Sequence, residues 1–138
     1  MKYIDANVFV NAILYDTARG DSCRKILGRV VSGQTACTST LTWDEVTKVL
    51  KRERDRKLAA REGERFLQFP KLTLIEPDKE ILQEAQKTFE HYHVEPRDAI
   101  HAATAVMMGA PIISEDKDFD KIKSVTRLSY KQALANKA

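Results

Sequence analysis

The stretch from Arg97 to Asp120 constrains the fold more than any other part of this chain. Pro96 suits the first position of a helix, because its missing N–H would have no partner there. Gly109 is typical of a helix end, and the apolar pair Ile112-Ile113 is typical of a strand that is buried on both faces. The stretch therefore predicts a helix, a turn and a buried strand, in that order.

Acidic residues stand at both ends of this predicted unit. Asp98 falls in the first helical turn, where the helix dipole favours a negative charge, and Ser114-Glu115-Asp116 follows the strand directly. In open α/β sheets, functional sites lie beyond the carboxyl ends of the strands. We therefore expect Asp98 and Asp116 to lie at the same edge of a sheet.

Strand and helix patterns alternate along the rest of the chain, which predicts an α/β fold with a central, mostly parallel sheet of four to five strands flanked by helices. The predicted strands are Lys2-Tyr3-Ile4, Gln34–Thr38, Leu72-Thr73-Leu74-Ile75, Ile112-Ile113 and a last short strand at Ile122 and Val125. The 138 residues are expected to form one domain, 1–138, with a frayed tail.

Helical spacing of apolar residues predicts helices at Ser22–Val31, Leu41–Arg56, Ala59–Phe69, Pro77–Tyr92 and Ser129–Ala135. The polar segment from Asp16 to Asp21 contains Gly20 and is interpreted as a loop. In the helix that begins near Pro77, four apolar residues are predicted to face inward. They are Ile81, Leu82, Ala85 and Phe89.

Composition narrows the class of protein. Apolar residues make up 43% of the chain and charged residues 31%, which is typical of a globular protein rather than a disordered one. We expect no membrane association and no signal peptide. Cys23 and Cys37 are isolated, which favours a reducing, cytoplasmic setting. The net charge of +3 is a weak indication of an anionic partner.

Two further acidic residues are predicted to join the same edge. Asp5 follows the first strand, and Glu45 lies on the helix after the second strand, at the margin of its apolar stripe. The alternative for Asp5 is a helix cap, and for Glu45 an ordinary surface position.

Two carboxylates about 4 Å apart repel by roughly 4 kcal/mol at an effective dielectric of 20. They must share protons, separate or hold a cation. Oxygen ligands favour Mg²⁺ or Mn²⁺, the usual apparatus of phosphodiester hydrolysis.

Four segments together resemble the motifs of PIN-domain nucleases, and are most similar to the VapC-type toxins of toxin–antitoxin pairs. They are Ile4-Asp5-Ala6-Asn7-Val8-Phe9, Glu45 after Ser39-Thr40-Leu41-Thr42, Asp98-Ala99-Ile100-His101-Ala102-Ala103, and Ser114-Glu115-Asp116-Lys117-Asp118-Phe119. The resemblance implies a Mg²⁺- or Mn²⁺-dependent endoribonuclease that leaves 5′-phosphate and 3′-hydroxyl ends. It also implies a homodimer and an antitoxin whose tail occupies the active-site groove.

The resemblance also implies roles for individual residues. The catalytic and metal-binding quartet would be Asp5, Glu45, Asp98 and Asp116. Asn7 and Ser114 match positions that hydrogen-bond those carboxylates. Asp118 is either a contributor through water or an Asx-type cap before Phe119. We interpret His101 as a packed or capping histidine rather than a base, and Glu115 and Asp120 as surface residues.

The densest basic run lies on the helix that carries Glu45. Lys48, Lys51 and Arg52 in this run are predicted to contact the RNA backbone. The alternative is a solvated helix face with ion pairs.

Other functions remain as alternatives. A haloacid-dehalogenase-type phosphatase needs a second Asp where this chain has Asn7, and a response-regulator receiver domain needs adjacent acids near its first strand. Neither pattern is clearly present. Within the PIN fold, the alternatives are a housekeeping RNA-processing nuclease and a non-catalytic module that binds RNA or protein. The buried acids argue against the non-catalytic module.

Overall fold

A computed structural model describes residues 1–135 and shows the predicted α/β class. The predicted frayed tail lies outside the described residues. The sheet has five strands, all parallel, in the order β3-β2-β1-β4-β5. The strands are β1 Lys2–Ile4, β2 Ala36–Ser39, β3 Leu72–Ile75, β4 Ile112–Ile113 and β5 Arg127–Leu128. The helices are α1 Ala6–Leu14, α2 Ala18–Val31, α3 Leu41–Glu53, α4 Arg56–Leu67, α5 Lys79–His91, α6 Pro96–Met107 and α7 Tyr130–Ala135, with a 3₁₀-helix at Lys117–Lys121.

The central strands are buried on both faces, as their uninterrupted apolar character predicts. Tyr3 pairs with Ile112 and Ile4 pairs with Ile113 across β1 and β4. Because side chains alternate along a strand, Tyr3 and Ile112 pack in one cluster of buried residues, whereas Ile4 and Ile113 pack in the other. Helices therefore cover both faces of the sheet.

The strand order places a crevice between β1 and β4. From β1 the chain moves outward through β2 to β3, and β4 and β5 then lie on the other side of β1. At such a switch point, the connections that leave neighbouring strands diverge, which opens a site beyond their carboxyl ends. Asp5 follows β1 there, and Ser114 follows β4.

The segment from Asp16 to Asp21 is not a loop throughout, because α2 already begins at Ala18. Gly20 is buried inside this helix, and a Cβ at this position would lie 1.8 Å from the carbonyl oxygen of Tyr15. The glycine thus permits close approach of two helices and does not break one. The predicted loop is wrong for residues 18–21, because a glycine needed for a close contact looks the same in the sequence as a glycine in a loop.

The last strand also differs from the prediction, since it comprises Arg127–Leu128 and not the region of Ile122 and Val125. Ile122 is buried directly after the 3₁₀-helix, and Val125 packs against the same cluster. The apolar character of Ile122 and Val125 is therefore explained by burial and not by strand pairing. Arg127 pairs with Ile112 in the sheet while its guanidinium reaches Asp120.

Two predicted helix features need correction. In α5, Ile81 and Ala85 are buried, but Leu82 and Phe89 remain 46% and 48% exposed, so the buried stripe is narrower than predicted. The helix predicted to reach Arg56 ends at Glu53, because Asp55 begins the next helix by accepting the Leu58 N–H at 2.7 Å. Among residues 1–135, no helix is both long and apolar enough to span a membrane.

Candidate active site at the carboxyl edge of the sheet

Asp5 lies at the centre of the crevice and is almost fully buried. It begins α1, and its Oδ1 accepts the N–H of Ala6 at 2.8 Å. Its Oδ2 accepts the hydroxyl of Ser114 at 2.7 Å. Burial raises the pKa of the Asp5 carboxyl, although the hydrogen bond from Ser114 and the proximity of His101 oppose the rise. Asp5 is thus a helix cap that also faces the site.

Ser114 connects the ends of the two central strands. Its side chain is fully buried, and its Oγ donates to Asp5 while accepting the backbone N–H of Asp116 at 3.0 Å. Asp116 in turn accepts the N–H of Asp118 at 2.9 Å and thereby caps the 3₁₀-helix. One buried hydroxyl therefore sets the relative position of two acidic residues that are distant in sequence.

Three carboxylates converge beside Asp5. One oxygen each from Asp98, Asp116 and Asp118 lies within 4.8 Å of the other two. The pKa of Asp98 is raised to about 6, chiefly by burial and then by the nearby charges of Asp116 and Asp5. Asp118 is half exposed and pairs with Lys121 at 3.1 Å. The cluster concentrates negative charge that a cation would stabilise.

Glu45 is held by a chain of hydrogen bonds that runs into the core. His101 is 1% exposed, and its Nε2 bonds to Glu45 Oε1. Its Nδ1 lies 2.5 Å from the hydroxyl oxygen of Tyr3, which accepts the backbone N–H of Ser39 at 3.2 Å. Burial lowers the pKa of His101, but the hydrogen bond and charge of Glu45 outweigh it and leave the pKa raised. The charge of Glu45 also raises the pKa values of Asp5 and Asp98.

The structure brings most of the predicted site residues to one edge of the sheet. The four acids of the predicted quartet lie there, and Ser114 and Asp118 lie among them. Asn7 differs, because it is exposed, lines a cleft with Asp116 and Arg52 and, within residues 1–135, has no hydrogen bond to an acidic side chain. Its proposed contact with the carboxylates is therefore not formed here.

Sequence reasoning did not identify the contact between Tyr3 and His101. The available signal was the spacing of α6, in which Asp98 and His101 share a face with Ala102 and Ala105 buried nearby. A histidine on a buried, alanine-rich face needs polar partners. Only the packing of α6 against β1 and α3 shows that these partners are Tyr3 and Glu45.

The predicted basic run divides between two surfaces. Lys48 and Lys51 line a cleft between α3 and α4. Arg52 instead lines the cleft that contains Asn7 and Asp116, and it pairs with Glu53 at 3.1 Å. Glu115, taken as a surface residue, is exposed and also accepts the backbone N–H of Tyr130 at 2.8 Å at the start of α7.

The acidic cluster suits a hard divalent cation. Its donors are carboxylate oxygens from Asp98, Asp116 and Asp118, with no cysteine among them and His101 already committed to Tyr3 and Glu45. Oxygen-only donor sets favour Mg²⁺ or Mn²⁺ over zinc. Burial is the main cause of the raised pKa of Asp98, and the negative charges of Asp116 and Asp5 add to the rise, a contribution that a bound cation would offset.

Comparisons with known proteins agree with this architecture. The PIN domain profile matches residues 2–125. One similar structure is VapBC2 from Rickettsia felis, which was solved bound to a DNA fragment from its promoter. The matched chain is 16% identical, with 94% of this chain and 98% of that chain covered and a TM-score of 0.75. VapC20 from Mycobacterium tuberculosis, a Sarcin-Ricin loop cleaving toxin, is 14% identical over 87% and 93%, with a TM-score of 0.73.

A third similar structure is VapBC-1 from nontypeable Haemophilus influenzae, which is 18% identical over 95% of this chain and 99% of that chain, with a TM-score of 0.70. At these identities the likeness concerns the fold. No curated protein matches the sequence. Because the PIN domain profile matches residues 2–125, which is nearly the whole chain, the chain belongs to the PIN-domain family.

Proposed function

We propose that this protein is a Mg²⁺- or Mn²⁺-dependent endoribonuclease that hydrolyses phosphodiester bonds in RNA. The observation that carries the proposal is the convergence of Asp98, Asp116 and Asp118 within 4.8 Å, beside buried Asp5, in the crevice of a PIN fold. Acids held this close repel one another unless a cation or protons offset their charge. The cluster therefore has the composition and placement of a metal-dependent hydrolytic site.

Each acidic residue has a distinct place in this proposal. The metal ligands would be Asp5, Glu45, Asp98 and Asp116, with Asp118 contributing through water. Ser114 holds Asp5 and the backbone of Asp116 in position, and His101 holds Glu45. These hydrogen bonds reduce the freedom of the ligands, so less ordering remains to be done when substrate binds.

The proposed reaction is a hydrolysis that breaks the bond between phosphorus and O3′. When bound, the metal supplies a water of lowered pKa and a charge that stabilises the phosphate oxygens. The water oxygen bonds to phosphorus, and the departing O3′ takes up a proton. The products are a 5′-phosphate and a 3′-hydroxyl.

The proposal predicts cleavage of a generic single-stranded RNA by the purified protein in Mg²⁺ or Mn²⁺, and none in excess EDTA. End-labelled RNA resolved on a gel reports cleavage, and ligation to the 5′-phosphate reports the type of end. Restoring the metal after EDTA should restore cleavage, since chelation removes the ion and leaves the chain intact. Undiminished cleavage in EDTA would contradict the proposal.

We further propose that this nuclease is the toxin of a toxin–antitoxin pair, acts as a homodimer and binds a cognate antitoxin. The support is that similar structures are VapBC complexes. Expression of the chain alone is expected to arrest growth, and co-expression with the adjacent open reading frame is expected to relieve the arrest. A housekeeping nuclease would support growth in both cases. The molar mass by light scattering, with and without the adjacent gene product, tests the assembly.

A further inference from the structure

A cleft of about 540 Å³ between α3 and α4 lies outside the acidic site. It combines an aromatic side chain with an excess of positive charge. Its lining includes Trp43, Asp44, Lys48, Lys51, Arg56 and Arg97. Among them Arg97 forms an ion pair with Asp44 at 2.8 Å. The cleft thus has four cations and one anion.

Trp43 is the only tryptophan of the chain, and it is 42% exposed on the wall of the cleft. Its position depends on Gly63 of α4, where a Cβ would lie 2.9 Å from both Trp43 Nε1 and Thr47 Cγ2. The glycine lets α4 approach the indole and hold its edge. A large aromatic side chain that is held in place yet half exposed offers a surface for stacking.

The positive charge of the cleft is not neutralised by the protein. Within the described chain, residues 1–135, no ion pair engages Lys48, Lys51 or Arg56, and all three are exposed. Uncompensated cations beside an open aromatic ring are the combination that binds single-stranded nucleic acid: the cations follow the backbone and the ring stacks on a base.

The cleft is continuous in sequence with the acidic site. Asp44 directly precedes Glu45 on α3, and Arg97 directly precedes Asp98 on α6. The pair between Arg97 and Asp44 therefore joins, at the boundary of the cleft, the two helices that contribute acids to the site. Residues of the cleft are therefore direct neighbours in the chain of two acids of the site, on the same two helices.

We propose that this cleft binds one unpaired nucleotide of single-stranded RNA, on the two helices that also contribute acids to the site. The base stacks on Trp43, and Lys48, Lys51 and Arg56 contact the backbone. This inference rests on the proposed function and extends it to a substrate class, because only an unpaired base can present its face to the indole. The sequence analysis predicted that Arg52 contacts the RNA backbone together with Lys48 and Lys51. In this proposal Arg56 makes that contact, because Arg56 lines the cleft and Arg52 does not.

The single tryptophan makes the test direct. In EDTA, where no cleavage is expected, a short single-stranded RNA is titrated while tryptophan fluorescence is recorded. We expect saturable quenching, with an affinity that falls steeply as salt is raised. A blunt duplex of the same sequence is expected to quench little. Binding of the single strand, measured independently by anisotropy, without any quenching would overturn the assignment of Trp43.

Substitutions test the contributions of the Trp43 ring and of the lysine charges separately. Using labelled RNA and anisotropy, Trp43→Leu is expected to weaken binding roughly tenfold, and Lys48→Ala/Lys51→Ala to flatten the salt dependence by about two counterions. The matched control is Lys25→Ala/Lys131→Ala, which removes two exposed lysines that do not line the cleft. Equal effects of the two double variants, or an unchanged affinity for Trp43→Leu, would overturn the subsite.

The experiment distinguishes this inference from the proposed function. Metal-dependent cleavage by the wild type without quenching would leave the nuclease standing and remove the subsite. Quenching without cleavage in Mn²⁺ would support RNA binding in the cleft and contradict the proposed nuclease activity. If a second copy of the chain occupies the cleft instead, Trp43 emission will change with protein concentration and not with RNA, which also overturns the inference.

Discussion

Asp98→Asn is expected to reduce RNA cleavage at least about 100-fold while the protein keeps its fold, because the change removes a negative charge from the acidic cluster but preserves the shape of the side chain. Asp98 lies in the first turn of α6, and among residues 1–135 its side chain has no hydrogen bond or ion pair that the amide would disrupt. Cleavage in saturating Mn²⁺ and circular dichroism are measured on the same preparations.

The matched control is Glu84→Gln, which removes an exposed charge on α5. It should cleave like the wild type, so a loss confined to Asp98→Asn reports on the site. Equal activity of Asp98→Asn and wild type, with contaminating nuclease excluded, would remove Asp98 from the proposed mechanism.

The same substitution has a second consequence, which concerns stability in the absence of metal. The pKa of Asp98 rises from its ordinary value of 3.8 to about 6, chiefly through burial and then through Asp116 and Asp5. Because the folded pKa exceeds the unfolded one, the fold favours the protonated acid. Its contribution to stability is therefore fully present below about pH 4 and lost as the pH rises through about 6.

In EDTA, the Tm of the wild type should therefore fall relative to that of Asp98→Asn between about pH 4 and 7. Saturating Mn²⁺ should reverse the order above pH 7, because the ion binds the native wild type more tightly than the variant. Thermal unfolding at several pH values, with and without Mn²⁺, measures both effects. Parallel Tm profiles in EDTA would mean that the pKa of Asp98 is not raised in the folded protein.

The parts of the fold that depend on local pattern were predictable from sequence. The apolar pairs Tyr3-Ile4 and Ile112-Ile113 indicated central strands, and the polar residues after them indicated the crevice. Pro96 marked the start of α6. The role of Gly20 was not predictable, because a glycine at a close contact looks the same in the sequence as a glycine in a turn. The role of Ile122 was not predictable either, because an apolar residue buried without strand pairing looks the same as one in a strand.

Contacts between distant elements account for what the sequence analysis missed at the site. Tyr3 and His101 are 98 positions apart, and local spacing shows that each is buried but not that they meet. Lys51 and Arg52 are neighbours on α3, yet the packing of α4 assigns them to different clefts. Periodicity identifies the faces of a helix, whereas tertiary packing decides what each face meets.

Tyr3→Phe is expected to weaken Mn²⁺ binding and RNA cleavage by about 10- to 100-fold, although Tyr3 touches neither substrate nor metal in the proposed mechanism. The phenolic oxygen of Tyr3 accepts the Ser39 N–H, and the same hydroxyl shares a second hydrogen bond with Nδ1 of His101. The Nε2–H of His101 then donates to Glu45. Removing one hydroxyl releases the orientation of His101 and, through it, the carboxylate of Glu45.

Loss of stability alone must be separated from loss of positioning. Tyr3→Phe leaves a backbone N–H and a ring nitrogen without their partner, so it should cost about 1–3 kcal/mol of unfolding free energy. Ile26→Val is the control, because Ile26 is buried on α2 among residues of the other cluster and the change costs about 0.5–1.5 kcal/mol.

Mn²⁺ affinity by titration and cleavage rate are compared for both variants at a temperature where each is fully folded. Ile26→Val should match the wild type in both measurements. A Tyr3→Phe protein that is less stable but binds Mn²⁺ and cleaves RNA as the wild type does would show that the chain from Tyr3 through His101 to Glu45 serves packing only. A loss of metal affinity confined to Tyr3→Phe would instead show that a buried hydroxyl in β1 sets the position of an acid on α3.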